Sequence, residues 1–320
     1  MQDNSNRFDA DLSDLDWSRW LEALSDIIDE DGYVETLGDK HVAAFLEEKQ
    51  TLLVTFDTHK RVRAQSEIAH PLGWTMVRAL GWSHLALVSN GDTWFRNERV
   101  YAYFDRLVDD GFFDEFDQVI FYGAGPCGYA AAAFSVVAPG AKVLVLQPQA
   151  TLDPRLTEWD DRFLRMRRTA FDDRYGYAPD MLEAAAQAFV LYDPEVELDA
   201  MHAALFYRPH IERIRTRFLG PRLDEALIRM QLLPRLLAQL SADKLTPLSL
   251  ARLLRERHKD PEYQTNLLRR LTIDDRSLLT SILCRKVLQQ RDEPKFLTAL
   301  TRAEKGLSHR PRGDAGPLHH

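Results

Sequence analysis

The chain has 320 residues, 45% of them hydrophobic, enough apolar mass to bury one large core or two of ordinary size and to exclude wholesale disorder. A net charge of −8 excludes unspecific binding of nucleic acid or of a membrane surface by the molecule as a whole, because both require a positive face. Charge is nevertheless uneven: residues 1–50 hold 14 Asp and Glu against 4 Lys and Arg, including Asp26, Asp29, Glu30 and Asp31, while residues 241–320 hold 16 Lys and Arg against 10 Asp and Glu. The basic end is suited to the acidic end or to an acidic partner, although most such runs are solvated helix faces.

In chain order, Trp17, Trp20, Leu21, Leu24, Ile27 and Ile28 recur at three- and four-residue steps, which draws the apolar stripe of a helix, and residues 1–50 read as an acidic helical lead-in. Short apolar runs follow: Leu52–Phe56, Leu85–Val88, Val119–Tyr122, Val143–Leu146, Phe189–Tyr192 and Ile211–Thr216. Helical patterns separate them at about Pro71–Leu80, Asn97–Asp110, Cys127–Ala138, Asp180–Gln187 and Asp199–Phe206. Alternation of this kind predicts an α/β fold, a mostly parallel sheet of about six strands with helices on both faces, over residues 51–222. Ile211-Glu212-Arg213-Ile214-Arg215 alternates and fits an edge strand with one wet face.

Beyond Leu223 the strand signal stops. Leu227–Leu240, Leu248–Arg257, Tyr263–Leu271 and Arg276–Gln290 predict four helices, punctuated by Thr246-Pro247 and Asp260-Pro261, in an α-helical module over residues 223–307. The Gly-, Pro-, Arg- and His-containing residues 308–320 predict a disordered tail. Cys127 and Cys284 are far apart and no Cys/His spacing suits zinc, so no metal is expected and a reducing compartment is. Met1-Gln2-Asp3-Asn4-Ser5 opens no basic and apolar leader, and no stretch approaches the roughly 20 apolar residues of a membrane span, so the expected location is cytoplasmic.

The segment that carries chemistry is Tyr122-Gly123-Ala124-Gly125-Pro126-Cys127-Gly128-Tyr129-Ala130-Ala131, where a buried strand passes through a glycine turn straight into an Ala-rich helix. Such a turn is the setting of a nucleophile elbow. It resembles the Tyr-Gly-x-Ser-x-Gly-Gly-Tyr-Ala-Ala pattern of bacterial esterases and acyl-transfer proteins of the α/β-hydrolase superfamily. In that register Gly125 takes the serine position and Cys127 the second glycine. Cys127, in the first turn of a helix, is the one stand-in nucleophile; its other reading is a small core residue.

The same resemblance implies an acid after a late strand, which Asp193 and Asp199 offer, and a histidine after the last strand, where Gly220-Pro221 stands instead. His202, three residues beyond Asp199, is a displaced base or an inert helix residue. Asp57, Thr58 and His59, followed by Lys60 and Arg61, occupy the loop after the first strand; Trp94 and Arg96, and Gln147, follow later strands. Together with Gly123 and Gly125 they line the carboxyl edge of the sheet, where open α/β sheets take ligands, as an anion- or sugar-facing cleft or as ordinary loops. The run Trp94-Phe95-Arg96 resembles a Trp-Tyr-Arg element of hydrolase-like proteins tied to surface-polysaccharide gene clusters. Gly123-x-Gly125-x-x-Gly128 also has the letters of a dinucleotide loop, but Pro126 removes an amide donor and no ribose-binding acid follows at about 20 residues, so no cofactor is implied.

Across most of residues 10–300, with Trp82-Ser83-His84 and Gln147-Pro148-Gln149 among the matching runs, the chain resembles alphaproteobacterial proteins often labelled phosphoadenosine phosphosulfate reductase. The chemistry of that label needs a Ser-Gly-Gly-x-Asp-Ser loop and a Glu-Cys-Gly-x-His motif; neither occurs, and Cys284 reads as a helix core residue. The expectation is a non-catalytic α/β-hydrolase-like protein binding a small-molecule ligand or a protein partner, without nucleic acid or membrane span. An unconventional hydrolase or acyl-transfer enzyme using Cys127 with Asp193 or Asp199 and His202 or His59 is the alternative, and a sulfonucleotide reductase-type enzyme a further one.

Overall fold

A computed structural model describes residues 7–28 and 31–309. Asp29 and Glu30 of the acidic run, and residues 310–320 of the expected tail, lie outside the described residues. The chain forms two compact units, one from the residues up to Arg217 together with Pro221–Leu254, the other from Phe218–Gly220 and the residues from Arg255 on.

The first unit is built on eight strands: β1 Gly32–Thr36, β2 His41–Leu46, β3 Thr51–Thr58, β4 Ser83–Ser89, β5 Gln118–Ala124, β6 Lys142–Leu146, β7 Gln187–Tyr192 and β8 Ile211–Arg215. They lie in the order β1-β2-β4-β3-β5-β6-β7-β8, parallel from β4 through β8, with β2 antiparallel to both its neighbours. The six strands expected from apolar runs are β3 to β8, with β8 at the edge, where the exposed Arg213 and Arg215 alternate with more buried neighbours. The two further strands come from the N-terminal segment. Among the described residues only Trp17–Ile28 of that segment is α-helix, and β1 and β2 form a hairpin turning at Gly38, whose φ of 80° suits glycine.

The first unit's helices are α1 Trp17–Ile28, α2 His59–Gln65, α3 Trp74–Leu80, α4 Glu98–Asp109, α5 Pro126–Phe134, α6 Pro154–Thr157, α7 Ala178–Met181, α8 Glu197–Leu205, α9 Leu223–Arg229, α10 Leu233–Ser241 and α11 Pro247–Leu253. They cover both faces, as strand periodicity shows: Ala43, Phe45, Leu85 and Leu87 enter one core with α4 and α5, whereas Val42, Ala44, Ala86 and Val88 enter another with α1, α2 and α3. The helix expected over Leu227–Leu240 is two, because Pro234 lacks the amide a continuous helix needs and Gln231 turns with φ 55°.

The second unit contains α12 Pro261–Ile273, α13 Ser277–Leu288 and α14 Pro294–His309 around Leu268, Cys284, Val287 and Phe296. Cys284 is fully buried there. Helix α14 reaches His309, so the expected tail starts with helix at residues 308 and 309. Among the described residues no helix is long and apolar enough to cross a membrane.

Helix α5 lies on the middle of the sheet, with Cys127 through Phe134 all buried. Contact this close requires Gly123: a Cβ there would stand 2.2 Å from the Cys127 carbonyl oxygen, a backbone atom that cannot swing aside. Gly123→Ala is therefore expected to cost about 3 kcal/mol, the upper part of the overpacking range, in a urea denaturation measurement. A loss below about 1 kcal/mol would mean that the crossing can open without disturbing the core.

Candidate functional site

One residue joins β5 to α5. Gly125 has φ 57° and ψ −128°, a conformation strained for any L side chain, and its amide donates to the Leu146 carbonyl at 2.8 Å. A Cβ at Gly125 would meet nothing within 4 Å, so the position faces open space. The chain turns sharply here from strand to helix, with no side chain at the apex. The residue after an elbow nucleophile supplies an oxyanion-hole amide. The residue after the apex is Pro126, at the first position of α5, and it has no N–H to give.

Gly125 sits on the floor of a cleft of about 290 Å³ whose lining includes Arg61, Gln147, Gln149, Arg162, Asp199 and Asp224. The chain leaves β3 into α2, which belongs to one core, and leaves β5 into α5, which belongs to the other. Neighbouring strands whose helices depart to opposite faces open a crevice at their carboxyl ends. Arg61, in the first turn of α2, spans it. Its guanidinium donates from Nε to Asp57 Oδ1 at 3.1 Å, from Nη1 to the Ala124 carbonyl at 3.2 Å and from Nη2 to Asp224 Oδ2 at 2.6 Å. Gln65 Nε2 donates to the same Asp224 oxygen.

A second network forms the opposite wall. Gln147, held at φ 48° just after β6, donates from Nε2 to Asp199 Oδ2 at 2.7 Å and accepts the Leu223 amide at 2.8 Å, a donor at the start of α9. Arg162 donates to Asp199 Oδ1 at 2.6 Å and to both oxygens of Asp160. Asp160 Oδ2 also accepts from His202 Nε2 at 2.9 Å. Because His202 Nδ1 accepts the Ala150 amide at 3.1 Å, the ring proton belongs on Nε2 and both nitrogens are committed. Burial holds the His202 pKa below its usual value despite the neighbouring carboxylate, so the ring is neutral. Burial opposes ionisation of Asp160, but the hydrogen bonds from His202 and Arg162 outweigh it and hold its pKa below the ordinary carboxylate range.

Of the residues singled out in the sequence, the cleft brings together Arg61, Gly125, Gln147 and Asp199. Gly123 lies under the crossing helix, and Asp57 stands behind Arg61. Thr58 caps α2 by accepting the Arg61 amide. His59 packs against both rings of the stacked Trp17 and Trp20, with ring centroids 5.4 and 5.0 Å away. Cys127 is buried beneath the turn, and burial pushes its thiol pKa up, opposite to the depression that makes a cysteine nucleophilic. Asp193, buried after β7, accepts the Glu195 amide at 3.0 Å.

Trp94 and Arg96 turn inward. Trp94, at φ 57°, packs against Tyr129, Phe163 and Phe171. Arg96, its side chain only 1% exposed, donates to the carbonyls of Ala170 and Arg174 and pairs with Asp173, which pins the loop before α7. Sequence reasoning passed over Asp160, Arg162 and Asp224, and among the described residues no group of three or more His, Cys, Asp or Glu is arranged to hold a metal ion. Asp160-Asp161-Arg162 is an ordinary charged loop until tertiary structure sets it beside Asp199 and His202.

No protein-family model matches the sequence, and no curated protein does. Solved structures that are similar in part include Est1E from Butyrivibrio proteoclasticus, 13% identical over 66% of this chain and 100% of that one, with a TM-score of 0.41. The capsule O-acetyltransferase of Neisseria meningitidis serogroup A is 10% identical over 62% of this chain and 91% of that one, with a TM-score of 0.41. The glycosylation-associated Gap123 complex from Streptococcus agalactiae is 13% identical over 57% of this chain, with a TM-score of 0.39, and the chain spans 41% of the length of that relative.

Burial raises the Asp57 carboxyl from 3.8 to about 6, against the opposing pull of Arg61. The folded protein thus keeps a proton that the unfolded chain releases between pH 4 and 6, so this group makes stability fall as pH rises through that window. The stability of the natural protein minus that of Asp57→Asn should drop by about 3 kcal/mol between pH 4 and pH 7 in denaturant titrations. A flat or rising difference would refute the dominance of burial over the pull of Arg61 at this carboxyl.

Proposed function

We propose that the protein is a non-catalytic molecule of the α/β-hydrolase type that holds a small ligand in the cleft above Gly125, at the carboxyl edge of its sheet. The observation that carries this reading is the turn itself: Gly125 keeps the φ of an elbow apex and opens onto the cleft, yet has no side chain and is followed by a proline. An acyl-enzyme route needs a nucleophile, a base and an oxyanion donor acting together. Gly125 lacks the first and Pro126 the third. His202 has both nitrogens committed to Asp160 and the Ala150 amide, which leaves it a positioning role for the cleft wall.

A hydrolase working through Cys127 would have to bring a buried thiol of raised pKa to the surface, and no feature of the cleft favours that step. The purified protein is expected to hydrolyse p-nitrophenyl acetate no faster than buffer, with no burst. Gly125→Ser, which fits the open space at a strain of about 1–3 kcal/mol, is expected to remain inactive because the base and the oxyanion amide are still missing. Saturable turnover that Cys127→Ala abolishes would overturn the non-catalytic reading in favour of the enzyme.

A further inference from the structure

We propose that the cleft takes an uncharged polyhydroxylated ligand of the sugar class, an inference that rests on the cleft being a binding site. Charge makes the first selection. Arg61 faces Asp57 and Asp224, Arg162 faces Asp160 and Asp199, and Arg222 is matched by Glu225 at 3.1 Å. The lining itself balances, with Arg61, Arg162 and Arg222 against Asp199, Asp224 and Glu225, and the buried Asp57 and Asp160 behind the two walls add the carboxylates that leave the site with surplus negative charge. A phosphate, sulfate or carboxylate would enter against that surplus in a partly dehydrated space, where like charges repel more strongly than in water. A sulfonated or phosphorylated nucleotide is disfavoured on the same ground.

Hydrogen bonding makes the second selection. A guanidinium has five N–H donors, and the bonds above use one on each nitrogen of Arg61 and of Arg162, which leaves two on each for a ligand. Gln149, another lining residue and only 2% exposed, donates from Nε2 to the Gln147 carbonyl at 3.3 Å, while its Oε1 is buried with no hydrogen-bond partner. An unmet buried acceptor costs about 1–3 kcal/mol, which an incoming donor recovers. The ligand must therefore accept from arginine and donate to an amide oxygen. A hydroxyl does both, an anion only accepts, and an ammonium only donates and is repelled by the guanidinium groups. The volume, at the small end of ligand pockets, suits one or two sugar rings.

The test uses the full chain titrated with glucose, galactose, mannose and N-acetylglucosamine, and in parallel with glucose 6-phosphate and choline, read by saturation-transfer NMR and calorimetry. Saturable binding of a neutral sugar is expected. Ala64→Phe, an exposed rim substitution that fills the cleft mouth, should abolish it. Gln149→Met, of similar size but without the acceptor, should weaken it about tenfold, and Gln149→Leu serves if that variant does not fold. Silence of all four neutral sugars overturns the inference. If glucose 6-phosphate or choline then binds and Ala64→Phe abolishes that binding, the cleft stands as a ligand site of another class. Neutral-sugar binding that Ala64→Phe leaves intact overturns the sugar inference and removes its support for the cleft.

Discussion

The crossing of α5 over β5 is the constraint on which the rest of the first unit depends. Gly123 lets the carbonyl of Cys127 come so close that any side chain at position 123 would collide with backbone. The helix is then enclosed on all sides, and Ala130 through Ala133, consecutive and so pointing all around it, keep it slim, all buried. With strand and helix joined by a single residue, Gly125 has to reverse the chain at φ 57°. A glycine does so with little strain, since the left-handed half of the backbone map is open to it. The apex of the turn is thereby lifted to the carboxyl edge, between two strands whose helices leave to opposite faces, and the cleft follows from that topology.

What lines the cleft is held by ion pairs that are largely sheltered from water. Removing one partner of such a pair leaves an uncompensated charge, which costs more than the intact pair contributes. The chain His202–Asp160–Arg162–Asp199–Gln147 runs from a neutral ring to the amide of Leu223, and so ties the segment before α7, helix α8, the exit of β6 and the start of α9 into one wall. Asp57, Arg61 and Asp224 do the same on the other side. Both walls are preorganised by bonds within the protein, so a ligand need not order them on arrival.

The central sheet was legible because parallel strands buried on both faces are continuous apolar runs, as β3 to β7 are, and because β8 alternates as an edge strand with one wet face does. Strands β1 and β2 were not, because the acidic composition and the strong helical stripe of Trp17–Ile28 masked a hairpin whose only local mark is Leu37-Gly38-Asp39-Lys40. Gly125 was legible as the apex, since a turn of this kind has a sequence signature. Trp94 and Arg96 show the opposite case: a cation and an aromatic after a strand end belong to the rim on sequence grounds, yet two successive positive φ values, at Trp94 and Phe95, fold them back into the core. Direction of a side chain out of an irregular loop is a tertiary property. The partners Asp160 and Asp224 were invisible for the same reason, being 42 and 163 positions from the residues they bind.

The shape of the turn and the walls of the cleft depend on different atoms. A serine at the apex would have to endure the strain that glycine avoids, and strain of that kind persists only where a mechanism uses it. Gly125 relieves it, and Pro126 fixes φ at the first position of α5, which steadies the helix start while removing the amide that chemistry would need. Neither change touches Arg61, Gln149 or Arg162, whose positions depend on Asp57, Asp224, Asp160 and Asp199. The turn can therefore be shaped for stability and the walls for recognition, and a preorganised polar crevice at the sheet edge is the one property that binding alone requires.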